Sequence, residues 1–93
     1  MNLSVVIISY KSNLLVQKLL ESLATQSLKA DEVIIIDNGP EKNSLDFSQL
    51  SEKNKIKYFP QEKNLGYGEG CNKGFLKSKG KFVLFLNPDL VLE

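Results

Sequence analysis

Two stretches of this chain, Leu3–Ser9 (LSVVIIS) and Glu32–Asp37 (EVIIID), are apolar without alternation, and residues 81–87 (KFVLFLN) make a third. A strand with one wet face shows apolar and polar residues in turn. An unbroken apolar run has both faces covered, which is the habit of parallel sheets. Parallel neighbours need a crossover of a dozen or more residues, usually a helix. A weaker run, residues 55–60 (KIKYFP), alternates better and closes on a proline, which predicts a strand nearer the sheet edge.

The segments between the runs meet that requirement. Leu15, Leu19 and Leu23 recur at four-residue spacing beside Val16, Leu20 and Ala24, one apolar helical stripe, with Ser12 or Asn13 available to cap its first turn. Residues 44–53 (SLDFSQLSEK) predict a short helix. The last crossover, NLGYGEGCNKGFLKSKG, carries Gly66, Gly68, Gly70, Gly74 and Gly80 and is a poor intrinsic helix. A parallel crossover must still cover the sheet, so a helix is predicted over 67–78. The order β-α-β-α-β-α-β gives the fold class: α/β, an open doubly wound parallel sheet with βαβ crossovers, in one domain spanning residues 1–93.

Composition removes several functions. With 42% hydrophobic and 25% charged residues the chain is globular in character, and a net charge of +1 supports no nucleic-acid or membrane-surface partner. There is no histidine, hence no imidazole base and none of the common zinc sets. Cys71 is alone, so no internal disulfide forms and a cytoplasmic location is expected. LSVVIIS is too short to span a bilayer.

Open α/β sheets bind ligands beyond the carboxyl ends of their strands. That rule selects Ser9-Tyr10, Asp37-Asn38-Gly39, the segment after Pro60, and Asn87-Pro88-Asp89. Asp37 in IIIDNGP fits two roles: binding its own turn amides, or accepting hydrogen bonds from a nucleobase imide or a ribose hydroxyl. Asp89, presented rigidly by Pro88, fits a cap or a divalent cation, with the Asn87 amide oxygen as a weaker ligand. Gly66, Gly68 and Gly70 spell G-x-G-x-G, which misses the dinucleotide fingerprint, and no Walker sequence is present. These glycines fit close helix packing or room for a diphosphate. Tyr10, Tyr58 and Tyr67 read as packing residues, although Tyr10 sits where a base could stack. The lysines at 63, 73, 77, 79 and 81 read as a solvated face.

VVIISYKS, VIIIDNGP, NLGYGEGCNKG and FVLFLNPDLVLE, in this order over the whole chain, resemble the nucleotide-binding N-terminal half of the family 2 glycosyltransferases, which have the GT-A fold. The LNPD variant looks most like the rhamnosyltransferase-like bacterial members that build surface polysaccharides. The resemblance implies strand order 3-2-1-4. It implies Ser9 and Tyr10 lining the nucleotide pocket, Asp37 on the base or ribose, Asn64, Gly66 and Asn72 beside the sugar nucleotide, and Asn87 and Asp89 at the family's D-x-D position. Asp89 would hold the divalent cation, Mg or Mn, that bridges the diphosphate. Asn87 replaces the first acid of that pattern and lowers the negative charge there.

The implied partners are a UDP-, dTDP- or GDP-linked sugar and a saccharide or lipid-linked acceptor, with the full-length protein at the inner face of the membrane. The family's general base lies downstream of D-x-D, so none of these 93 residues is expected to be the catalytic base. The chain is expected to be a donor-binding portion, inactive alone, whose last strand lies on an open edge and pairs it into a homo-oligomer. The competing expectation is a non-catalytic receiver or flavodoxin-like domain with strand order 2-1-3-4, although a receiver would carry paired acids where Ser9-Tyr10-Lys11 stand.

Overall fold

Four parallel strands, β1 (Leu3–Ser9), β2 (Glu32–Asp37), β3 (Ile56–Pro60) and β4 (Phe82–Leu86), form one sheet in the order β3-β2-β1-β4 in a computed structural model of the chain. The structure describes residues 2–25, 30–40 and 56–86, with the side chains of Asn13, Ala24 and Thr25 excepted. Helix α1 (Asn13–Thr25) follows β1 and helix α2 (Gly66–Lys77) precedes β4. The predicted helix over 44–53 and residues Lys55, Asn87 and Asp89 lie outside the described residues. The order 3-2-1-4 is the one implied for a glycosyltransferase and differs from the 2-1-3-4 of the receiver alternative.

Alternation along β1 and β2 divides the interior into two apolar layers. Val5, Ile7, Val33 and Ile35 pack with Val16, Leu19 and Leu20 of α1 on one side of the sheet. Val6, Ile8, Ile34 and Ile36 form the other layer, against which Cys71 of α2 packs. Both faces of the central strands are therefore dry, as their unbroken apolar sequence demands.

Helix α2 forms despite its glycines because two of them are what the sheet needs. A methyl at Gly70 would lie 2.8 Å from Ile8 Cγ2, and one at Gly74 would collide with Val6 Cγ1. The helix backbone thus rests directly on β1, and tertiary contact supplies what propensity lacks. At the head of α1 the Ser12 carbonyl accepts the Val16 N–H at 2.9 Å, while the Ser12 hydroxyl donates backwards to the Tyr10 carbonyl at 2.6 Å.

One expectation is corrected. Residues 81–87 read as a strand covered on both faces, yet in the strand observed over Phe82–Leu86, Phe82 is 69% and Leu84 39% exposed. Register pairs Phe82, Leu84 and Leu86 with Leu3, Val5 and Ile7, on the α1 side of the sheet. Leu86 is buried in that layer, whereas Phe82 and Leu84 stand bare. An outermost strand keeps an apolar sequence without being covered, because coverage depends on its place in the sheet.

Candidate functional site

Parallel register brings the C-terminal ends of β1 and β2 level: Ser9 pairs with Asp37, and Asp37 with Pro60 of β3. By alternation Ser9 and Asp37 face the α1 side, and Tyr10 and Asn38 the α2 side. Asp37 is 1% exposed. Its Oδ1 accepts the Gly39 N–H at 3.0 Å and its Oδ2 accepts the Tyr58 hydroxyl at 2.6 Å. The turn role and the anchored carboxylate therefore coexist. A carboxylate offers about four acceptor positions, so two bonds leave capacity for a ligand. No ammonium pairs with Asp37 among the described residues.

Beside it, Ser9 is 3% exposed, and its Oγ is the buried side-chain oxygen left without a hydrogen-bond partner among the described residues. Native proteins pair almost all such groups, and an exception marks a place where a water or ligand atom belongs. The Ser9 carbonyl accepts the Asn38 N–H at 2.8 Å.

Tyr10 caps the rim with a half-exposed ring that covers Gly39; a methyl there would lie 2.7 Å from Tyr10 Cδ1. Lys11 adopts φ 48°, donates its N–H to the Gly39 carbonyl at 3.1 Å and sets its ammonium 5.4 Å from the Tyr10 ring centroid. A lysine in the left-handed region is uncommon, and here it ties the β1 exit to the β2 turn.

Asn38 connects this rim to the glycine-rich segment. Its Nδ2 donates to the Gly66 carbonyl and its Oδ1 accepts the Leu65 N–H, both at 3.2 Å. The exposed Asn64 accepts the Gly66 N–H at 2.8 Å. Asn64 and Gly66 are thereby held next to the β2 turn at the entry to α2. Asn72 is exposed, about 200° round the helix from Gly70, on the side away from the sheet. Nothing among the described residues ties it to the rim. Asn87 and Asp89 lie outside the described residues, although the last described residue, Leu86, pairs with Ile7, so β4 leads towards the same rim.

Two contributors were given no role in the site from sequence, although the strand-end rule selects the segment that holds Asn38. Tyr58 reads as packing, and burial together with the hydrogen bond to the Asp37 charge raises its pKa, so it stays a protonated donor. Asn38 reads as turn chemistry, and its partners lie 27 and 28 residues away. Among the described residues no group of three acidic, Cys or His side chains could hold a metal, and no helix is long and apolar enough to cross a membrane.

The sequence profile of the family described as glycosyl transferase family 2 matches residues 4–93. Among curated proteins, the chain is 33% identical over 75 residues to the amylovoran biosynthesis glycosyltransferase AmsE of Erwinia amylovora, covering 78% of this chain and 28% of that protein. It is 30% identical over 90 residues to a GalNAc(5)-diNAcBac-PP-undecaprenol beta-1,3-glucosyltransferase of Campylobacter jejuni, covering 94% of this chain and 29% of that one. Among solved structures, S. aureus TarS 1-349 in complex with UDP-GlcNAc superposes with a TM-score of 0.72 at 32% identity, covering 96% of this chain and 27% of that one. The chain spans about a quarter of the length of the curated relatives it matches.

Proposed function

The chain belongs to glycosyl transferase family 2, and from that premise we propose that the rim around Ser9 and Asp37 binds the nucleotide of a nucleoside-diphosphate sugar, the donor for sugar transfer in surface-polysaccharide synthesis. The observation that carries this reading is the buried Ser9–Asp37 pair, with one hydroxyl unpartnered and one carboxylate anchored but not saturated. A UDP-, dTDP- or GDP-linked hexose or rhamnose fits the proposal, and the solved structure of TarS with UDP-GlcNAc supports it by likeness.

In this reading Asp37 accepts an N–H or O–H of the base or ribose, and Tyr10 offers a ring face for stacking. Asn64 and Gly66, positioned through Asn38, lie beside the sugar-diphosphate portion, and Asn72, on the far side of α2, is given no part in it. Asp89, with Asn87 beside it, would hold a divalent cation; an oxygen donor set suits Mg or Mn, and the ion when bound neutralises charge on the departing diphosphate. Transfer with inversion is one displacement. The acceptor oxygen forms a bond to the anomeric carbon as the bond to the diphosphate oxygen breaks, the leaving oxygen keeps the electron pair, and the acceptor proton passes to a carboxylate base. Neither Asp37 nor Asp89 is assigned as that base. The acceptor is a saccharide or lipid-linked saccharide, reached from the cytoplasmic side.

Calorimetric titration with UDP, dTDP, GDP and CDP, with and without Mn²⁺, tests the reading. At least one of the first three binds, Mn²⁺ tightens it, and Asp37→Ala weakens it. Nucleotide binding unaffected by Asp37→Ala would remove the proposal.

A further inference from the structure

Tyr58 stands on β3, 21 residues after Asp37 in sequence, and its hydroxyl reaches across the strand pair to Asp37 Oδ2 at 2.6 Å. That length is typical of an O–H donated to a carboxylate, a bond about twice as strong as a neutral one. The rest of the side chain packs against the apolar layer on the α1 side. A phenyl ring would fill that layer equally well, so packing does not call for the oxygen. Gly39 N–H holds the other carboxylate oxygen. Two donors from two different elements fix both the position and the plane of Asp37, which recognition of a flat ligand edge requires.

We infer that Tyr58 is a positioning residue for base selection, orienting Asp37 so that its remaining acceptor capacity, next to the unpaired Ser9 hydroxyl, meets a base edge that sets an N–H donor beside a carbonyl. The inference rests on the nucleotide-binding reading above. Ser9 pairs with Asp37 on the same face of the sheet, so one ligand edge can address both. The carboxylate accepts the N–H, and the hydroxyl donates to the carbonyl. Uracil, thymine and guanine present that edge. Cytosine and adenine put a lone pair where the N–H should be, and a carboxylate held rigidly cannot turn away from it. Freed from Tyr58, Asp37 rotates and its selectivity fades while other contacts to the nucleotide persist.

The test compares UDP, CDP and pyrophosphate binding to the native protein, Asp37→Ala and Tyr58→Phe, with thermal midpoints recorded for each. Tyr58→Phe is expected to weaken UDP roughly tenfold while CDP and pyrophosphate change less than about twofold, so that the UDP/CDP ratio falls towards that of Asp37→Ala. A merely structural tyrosine would lower all three affinities together, in step with the thermal midpoint. A parallel loss, or no loss, in Tyr58→Phe while Asp37→Ala loses its preference for UDP over CDP overturns the inference and leaves the nucleotide reading standing. UDP binding unchanged in Asp37→Ala overturns both. If Tyr58→Phe does not fold, native protein carrying ζ-¹³C tyrosine decides: the Tyr58 resonance moves on addition of UDP and not of pyrophosphate, and a resonance indifferent to UDP overturns the inference.

Discussion

Strands β1 and β2 carry the same pair of residue types at opposite ends, and the two ends are finished differently. At the N-terminal end Ser4 pairs with Glu32, and at the C-terminal end Ser9 pairs with Asp37. All four are buried. Glu32 receives the Ser4 hydroxyl at 2.6 Å, the Lys79 N–H at 2.6 Å and the Lys57 ammonium at 3.0 Å, and Ser4 in turn accepts the Gly80 N–H at 2.8 Å. Burial alone would push the Glu32 carboxyl up, but these bonds and the Lys57 charge outweigh it and hold the pKa below the ordinary glutamate value. Among the described residues Asp37 has two neutral donors, and the Ser9 hydroxyl has no partner. One end is closed by the fold's own donors, and the other, among the described residues, is not, which is why the proposed nucleotide site is placed there. Burial of an acid therefore does not identify its role; the completeness of its hydrogen bonding does.

Exchanging alanine for each acid should separate the two ends most clearly. Glu32→Ala strands Ser4, the Lys79 N–H and Lys57, and should cost about 3 kcal/mol in denaturant unfolding, towards the low end for a broken buried pair because the Lys57 side chain is 38% exposed. Nucleotide affinity per folded molecule should stay within about twofold of the native value. Asp37→Ala should do the reverse, weakening UDP by roughly thirtyfold, or about 2 kcal/mol, with a smaller shift in stability.

The serines sharpen the contrast on a smaller scale. Ser4→Ala should destabilise by about 1–2 kcal/mol because it removes a partner from Glu32 and from Gly80. Ser9→Ala removes an unpaired hydroxyl and should change stability by less than roughly 0.5 kcal/mol or raise it, while weakening nucleotide binding about threefold.

Acid titration probes the closed end alone. A depressed Glu32 pKa means the native state holds the carboxylate more firmly than the unfolded chain does. The stability it contributes is complete above the ordinary glutamate pKa, roughly 4.3, and is lost as pH falls through the lower native value. Glu32→Gln should flatten the unfolding free energy over that acidic window, and a slope identical to native would show that Glu32 is not the group responsible. The smallest effect expected is at the bare edge of β4, where Phe82 and Leu84 give a second copy a surface to pair along. Sedimentation velocity should show weak dimerisation that Leu84→Lys abolishes.

The central architecture was legible because β1 and β2 contain almost nothing but branched apolar residues, which admit few alternatives to a doubly covered parallel strand. The helix expected over 67–78 was legible from the need to cover the sheet, against its low propensity, whereas the glycines left close packing and room for a diphosphate both open until Gly70 and Gly74 were seen against Ile8 and Val6. What stayed illegible depended on partners distant in sequence. A tyrosine on an edge strand looks like packing until register places its hydroxyl beside Asp37, and Asn38 looks like any turn residue until Leu65 and Gly66 arrive at its amide. Glu32 at the start of β2 gave no sign of the donors that converge on it from Ser4, Lys57 and Lys79. Asn72 shares a motif with Gly70 but, by helical phase, the opposite side of α2.

Because β1 lies between β2 and β4, its second neighbour is roughly eighty residues further along the chain, Leu3 being matched to Phe82. A ribosome delivers β1 before β4, so one flank of β1 waits, its amides solvated, while the residues between them are being made. The Ser4–Glu32 lock shares that delay, since Lys79 and Gly80 close it only when β4 is about to emerge. A nascent-chain protection experiment should therefore find the β1–β2–β3 half guarded first, and the final flank secured in the same step that completes the lock.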